Sequence, residues 1–211
     1  MTSEKAPFYK SPFVWAFVIG ALALAAIRPL QQAVRSAPPP IASPGAWTLV
    51  GHDGAPFGTK DLAGKVVIAD FFFTRCPSIC PELTRKMIEV QKRFDGEEGV
   101  RFVSFSVDPE NDTPEVLRAY RDKFKIDDER WTFVTGPKDA MHDLLVTRLM
   151  QHVGEKKQID PQSDLYDVSH SGRFALFDQN GDLRALADTD VQGLARLVDA
   201  AKLLIEEGPN P

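Results

Sequence analysis

Apolar and polar positions sort the chain into three stretches. Ser11 to Ile27 is an uncharged run between Lys10 and Arg28, and its 17 residues reach about 26 Å as a helix, the short end of what crosses a bilayer. Lys10 and Arg28 can snorkel to lengthen it. Pro38-Pro39-Pro40-Ile41-Ala42-Ser43-Pro44 follows; such a segment is expected to be extended and semi-rigid, a spacer. From Trp47 onward strand and helix periods alternate. Trp47–Val50 and Pro56-Phe57 around His52-Asp53-Gly54 predict a short hairpin. Val66–Phe73 is apolar on both faces apart from Asp70, as in a covered central strand. Leu83, Met87, Val90 and Phe94 recur at helical spacing, and Val100–Val107 reads as a second strand. Thr113-Pro114-Glu115 is a helix start, with Leu117, Tyr120 and Phe124 as the buried stripe. Trp131–Val134 is a third strand, and Met141, Leu144, Leu145 and Leu149 mark another helix. Gln151–Ser169 is polar and irregular. Arg173–Phe177 and Leu183–Ala187 flank the hairpin signal Asn180-Gly181, and a last helix runs from about Asp190 to Glu206.

This order, βαβα and then ββα, predicts an α/β thioredoxin-like fold with an N-terminal β-hairpin extension, preceded by a single N-terminal transmembrane helix. The expected division is 1–35 as membrane anchor or signal peptide, 36–46 as a Pro-rich linker and 47–211 as the folded domain. Lys5 and Lys10 ahead of the apolar run, with Ala23-Leu24-Ala25 inside it, fit a cleavable signal peptide as well as an uncleaved anchor. The anchor is favoured, and either reading exports the domain. Basic residues at the two ends, Lys5 and Lys10 against Arg28 and Arg35, are too evenly matched to set topology.

The length of 211 residues and 43% hydrophobic content suit one domain of about 150 residues plus these N-terminal extras. Residues 41–211 hold 21 Lys and Arg against 29 Asp and Glu, a net −8. With no basic cluster interleaved with aromatics, this argues against nucleic acid as a partner.

Candidate chemistry centres on the chain's 2 cysteines, Cys76 and Cys80. A pair this close can form a disulfide or hold one soft metal ion. Cys76 follows the carboxyl end of the Val66–Phe73 strand, where sites form in open α/β sheets. A residue before proline avoids the helical region while proline favours the first helical position, so Cys80 is expected as the N-cap of the helix that Pro81 opens. There, unpaired N–H groups and the helix dipole would lower its pKa, with Arg75 adding positive charge. An inert disulfide would close only a few residues and remove little chain entropy.

Among the histidines, His142 and His152 read as solvated and His52 as a turn residue. His170 differs, because in thioredoxin topology the loop before the last hairpin packs beside the cysteine loop. Two thiolates and one imidazole suit Cu(I), or Cu(II) with a further ligand. Structural zinc usually takes four protein ligands, and no third cysteine is present to help complete them.

Phe73-Thr74-Arg75-Cys76-Pro77-Ser78-Ile79-Cys80-Pro81, then Ser106-Val107-Asp108-Pro109 before Asp112-Thr113-Pro114-Glu115, then His170-Ser171 before a hairpin, together resemble the SCO/SenC family. These are membrane-anchored thioredoxin-fold proteins that bind copper and help assemble cytochrome c oxidase. The resemblance covers about Trp47 to Glu206. It implies Cys76, Cys80 and His170 as copper ligands, with Asp108 near the same rim. It implies a copper metallochaperone that delivers the ion to the cytochrome c oxidase copper centre. Its partners would be the oxidase copper-binding subunit and other exported copper chaperones or thiol reductants. Its expected place is the bacterial inner membrane, single-pass, with the C-terminal domain in the periplasm. Arg75, Ser78 and Ser169 stand where the family often has His, Asp and Asp, so the ligands are kept while their polar surroundings change.

Asp70, six residues before Cys76, resembles the buried acid of thioredoxin-group dithiol proteins. It is the candidate proton acceptor for a thiol, since burial raises a carboxyl pKa. This feeds the alternative reading, a membrane-anchored thiol–disulfide oxidoreductase using Cys76 and Cys80 on exported or oxidase cysteines. A peroxidase of the same fold needs an arginine-supported cysteine pocket, for which Arg75 alone is weak evidence.

Overall fold

The structure, a computed structural model, describes residues 12–34, 37–77, 79–159 and 166–209, with the side chains of residues 24, 26–34 and 170 outside the description. The chain divides into two units, Met1–Ser36 and Ala37–Pro211. Among the described residues the first contains one helix, α1 (Pro12–Val34), of 23 residues, on which Phe13, Trp15, Phe17, Ile19 and Leu22 are exposed. Among the described residues no helix is long and apolar enough to cross a membrane.

The second unit runs β1 (Thr48–Gly51), β2 (Pro56–Gly58), β3 (Val66–Phe72), α2 (Ile79–Lys92), β4 (Val100–Ser106), α3 (Pro114–Phe124), β5 (Trp131–Thr135), α4 (Lys138–His142), β6 (Val153–Gln158), β7 (Tyr166–His170), β8 (Phe174–Phe177), β9 (Leu183–Ala187) and α5 (Val191–Glu207). Seven strands form one sheet in the order β2-β1-β5-β4-β3-β8-β9. Every residue of β3 is buried, which is why its sequence is apolar on both faces. It pairs in parallel with β4, setting Asp70 opposite Ser104 and Phe72 opposite Ser106. On its other side it pairs antiparallel with β8. Gly181, at φ +83°, turns the chain from β8 into β9 in a conformation that L side chains resist.

α2 and α3 cover the sheet together. Tyr120 of α3 lies against Phe72 at 5.2 Å between ring centres and Phe133 at 6.0 Å. Its hydroxyl meets Thr84 Oγ1 of α2 at 2.9 Å. Thr113 caps α3, its side chain accepting from the Val116 N–H at 3.5 Å.

Three expectations change here. The proline-rich segment is a strap laid on the domain rather than a spacer. The Ile41 N–H donates to Leu183 O at 2.7 Å and the Leu183 N–H to Ala42 O at 2.8 Å. Arg184 donates to Pro38 O and pairs with Asp178 at 2.7 Å. Arg148 reaches Ala46 O at 3.0 Å. The strap occupies the open edge of β9, where unpaired backbone groups would otherwise stand. Second, the polar stretch after Gln151 is not irregular: β6 and β7 form a separate two-stranded antiparallel sheet. Four of the six β6 residues are exposed, so β6 has no apolar alternation to read. Third, the helix predicted through Leu149 becomes a π-helical turn over Asp143–Arg148.

Candidate metal and thiol site

The site begins where β3 leaves the sheet. Thr74 is gripped by Asp112 of the β4–α3 loop: its hydroxyl donates to Asp112 Oδ1 at 2.5 Å and its N–H lies 3.2 Å from Oδ2. The Cys76 N–H donates to Phe73 O at 3.3 Å. The chain then passes the exposed Pro77, and Ser78 lies outside the described residues. Both cysteines are thiols and both are buried. The Cys80 N–H, in the first turn of α2, points at Cys76 Sγ, 3.4 Å away.

Cys80 departs from its expected role. α2 begins at Ile79, which puts Cys80 inside the first turn instead of at the cap. Its thiol is pushed up, not down: the hydrogen bond with Cys76 and then burial favour the neutral form, and negative charge at Asp70 adds to this. Local helix geometry would lower a thiol pKa, but a second sulfur and a closed apolar setting outweigh it.

Asp70 is 1% exposed, within β3 opposite Ser104, whose hydroxyl accepts from the Trp131 indole N–H at 2.9 Å. Thr84 Oγ1 donates to Cys80 O at 3.0 Å, which ties the second cysteine to Tyr120.

β7 carries His170 at its last position, across from Val153 of β6; the imidazole lies outside the described side chains. The backbone beyond it is informative. A Cβ on Gly172 would come 3.0 Å from Ile79 Cδ1, so the chain two residues past His170 passes against the residue between the two cysteines. Ser171 Oγ donates to Gln151 Oε1 at 2.5 Å, and the buried Gln151 donates in turn to Leu149 O at 2.9 Å. The topology therefore brings the histidine-bearing segment to the thiol loop. Among the described residues, no group of three or more His, Cys, Asp or Glu side chains is placed to hold a metal ion.

His142 and His152 are exposed. His52 does more than turn the chain: its ring meets the Arg121 guanidinium, and burial followed by the Arg121 charge pushes its pKa down.

Asp108 is expected near this rim, but the partners of several working residues carry no signal in the sequence. Asp108 is 1% exposed, accepts from the Tyr166 hydroxyl, and lies 2.5 Å from Lys156 Nζ. Tyr166 stacks on Phe73 at 5.7 Å. Asp112 is pushed up to about 6, because burial outweighs the hydrogen bonds from Ser106 and Thr74. The quoted motif contained both acids, but nothing in it paired them with Thr74 or Tyr166.

A mixed α/β sheet with a dithiol loop at the carboxyl end of its central strand defines a thioredoxin-like domain. Residues 36–204 match the SCO1/SenC family, and the chain belongs to it. It is 34% identical over 140 residues to the SCO1 protein homolog of Bacillus subtilis (strain 168), covering 64% of this chain and 72% of that one. The structure of BsSco, described as a member of the Sco family of cytochrome c oxidase assembly proteins, superposes with a TM-score of 0.67 at 25% identity, over 81% of this chain and 98% of the other. Yeast Sco1 with copper bound gives a TM-score of 0.63 at 26% identity, over 78% and 90%.

Proposed function

We propose that this protein is a copper metallochaperone that holds one copper ion through Cys76, Cys80 and His170 and passes it to the copper centre of cytochrome c oxidase. The observation that carries the reading is the pair of buried thiols, with the Cys80 N–H 3.4 Å from Cys76 Sγ, on a loop met by the chain just beyond His170. Two sulfurs and one imidazole are a soft, low-coordinate donor set that suits Cu(I). The hydrogen bond with Cys76 and then burial favour the protonated Cys80 thiol until an ion replaces its proton, so loading releases a proton to solvent. Unloading is ligand exchange: client donors displace these one at a time and no electron is transferred. Copper bound to yeast Sco1 supports the choice of ion, and the description of BsSco supports the oxidase as client.

Cu(I) titration of the reduced full-length protein, read by competition with a chromophoric chelator, tests the site. One ion per chain is expected, with binding lost in Cys76→Ser and Cys80→Ser and weakened at least tenfold in His170→Ala. Undiminished binding by His170→Ala and Cys80→Ser rejects it.

A second reading is favoured by Asp70, buried in the strand that leads to the cysteines. In it, Cys76 and Cys80 are oxidised to a disulfide while a client disulfide is reduced to two thiols, with Asp70 as the proton acceptor. Here His170→Ala leaves exchange intact, whereas Asp70→Asn slows it.

The reading includes a single-pass anchor in a bacterial inner membrane with the folded domain in the periplasm. What supports it is the uncharged run Ser11–Ile27, of which Ser11 and the side chains of residues 24, 26 and 27 lie outside the description, with Phe13, Trp15, Phe17, Ile19 and Leu22 exposed on α1; the described part alone is not long and apolar enough to span. Alkaline extraction of membranes separates an embedded chain from a peripheral one.

A further inference from the structure

We propose that the loop from Ser106 to Thr113, between β4 and α3, is a bracket that holds the strand bearing His170 in register with the thiol loop. It grips one through Tyr166 and Lys156 and the other through Thr74. The proposal rests on the reading of Cys76, Cys80 and His170 as copper donors.

The grip is a continuous chain of polar contacts. On the thiol side, Asp112 accepts from both the hydroxyl and the N–H of Thr74, two residues before Cys76. Ser106 Oγ donates to Asp112 Oδ2 at 2.6 Å and accepts from the Asp108 N–H at 3.0 Å, which locks the two acids to one another. Asn111 Nδ2 donates to Asp108 Oδ2 at 2.9 Å. On the hairpin side, the Tyr166 hydroxyl donates to Asp108 Oδ2. Lys156 Nζ lies 2.5 Å from Asp108 Oδ1 and 5.0 Å from the centre of the Tyr166 ring. Tyr166 opens the strand that His170 ends, about 13 Å along at strand rise.

Asp108 and Asp112 are 1% and 0% exposed, and buried acids left without partners are costly. Their contacts therefore hold the geometry firmly. The hairpin needs such a hold. A two-stranded sheet is marginal alone, and β6 is mostly exposed. Its apolar attachment, Val168 in the core and Tyr166 stacked on Phe73, is non-directional, whereas hydrogen bonds to a fixed carboxylate set position. One short loop thus fixes the separation of two donor segments far apart in sequence.

Tyr166→Phe keeps the ring on Phe73 and removes only the hydroxyl; Lys156→Met removes the charge, and Lys156→Arg restores it. In the full-length, reduced, metal-free protein, amide hydrogen exchange in 153–158 and 166–170 should speed up about tenfold in Tyr166→Phe and Lys156→Met. α2 and β3 should keep their protection, and Lys156→Arg should behave as wild type. Cu(I) affinity against a chromophoric chelator should fall about tenfold in the first two variants with stoichiometry unchanged. Unchanged hairpin exchange overturns the bracket. Faster exchange with undiminished copper affinity overturns its role in setting the donors. Were the wild type to bind no copper, the functional reading would fall, and the exchange arm alone would still decide whether the loop holds the hairpin.

Discussion

Gly172 faces Ile79 so closely that a Cβ placed on it would stand 3.0 Å from the Ile79 Cδ1. The one residue leaves β7, and the other opens α2 between the two cysteines. This contact is where the two halves of the candidate site meet, and a methyl group on the glycine fits once the Ile79 tip gives by a few tenths of an ångström.

Gly172→Ala should be nearly neutral, since the atom it meets is the flexible tip of a side chain that is 44% exposed. Gly172→Val adds two methyl groups to the same gap and must push the segments apart. Its stability should change by less than about 1 kcal/mol, while copper dissociates several-fold faster. Stopped-flow transfer to a chelator checks the rate and urea unfolding checks the stability; an unchanged rate in Gly172→Val would show that the contact has no bearing on the site.

Asp112 makes stability depend on pH. Its folded pKa is raised to about 6 from 3.8, so the native state holds a proton that the unfolded chain releases. This contribution is complete below about pH 4 and is lost as pH rises through about 6. Burial is the main cause, the neighbouring Asp108 charge adds to it, and the hydrogen bonds from Ser106 and Thr74 oppose it. Asp112→Asn carries no proton to lose. The difference between wild type and variant in urea unfolding free energy should therefore change by about 2–3 kcal/mol between pH 4 and pH 7. Parallel pH profiles for the two proteins would remove Asp112 as the cause.

Arg184 fastens the strap. It is 8% exposed, pairs with Asp178 at 2.7 Å and donates to Pro38 O. Arg184→Ala leaves the buried Asp178 without its cation, which costs about 3 kcal/mol. The remaining N–H donors of Asn180 and Asp182 to Asp178 keep the loss at that end of the range. Limited proteolysis should then cut between residues 37 and 47, where the wild type resists; a strap that stays protected would mean that its backbone pairing with Leu183 suffices.

Much of the fold was legible from local pattern. The run Val66–Phe72 reads as a central strand, because apart from Asp70 its residues are apolar on both faces. Thr113-Pro114 states its own helix start, and Asn180-Gly181 its own turn. β6 was not legible, because its exposed Glu155, Lys156, Lys157 and Gln158 belong to a strand through pairing with β7 and not through their own preference. The strap is not legible for a related reason: proline content speaks of stiffness, and the Arg184 and Leu183 that receive it lie over 140 residues away.

At the site, the sequence by itself determined which atoms are available, namely two thiols four residues apart at a strand's end, a buried carboxyl six residues earlier, and a distant histidine before a hairpin. Only the tertiary structure decided their setting. It put Cys80 inside the helix and beside Cys76, which turned an expected thiolate into a protonated thiol. It also recruited Asp112 and Asp108 to hold the thiol loop and the hairpin. The reason is physical: spacing along the chain sets local geometry, whereas desolvation and charge pairing depend on every neighbour within a few ångströms, and most of those neighbours come from elsewhere in the sequence.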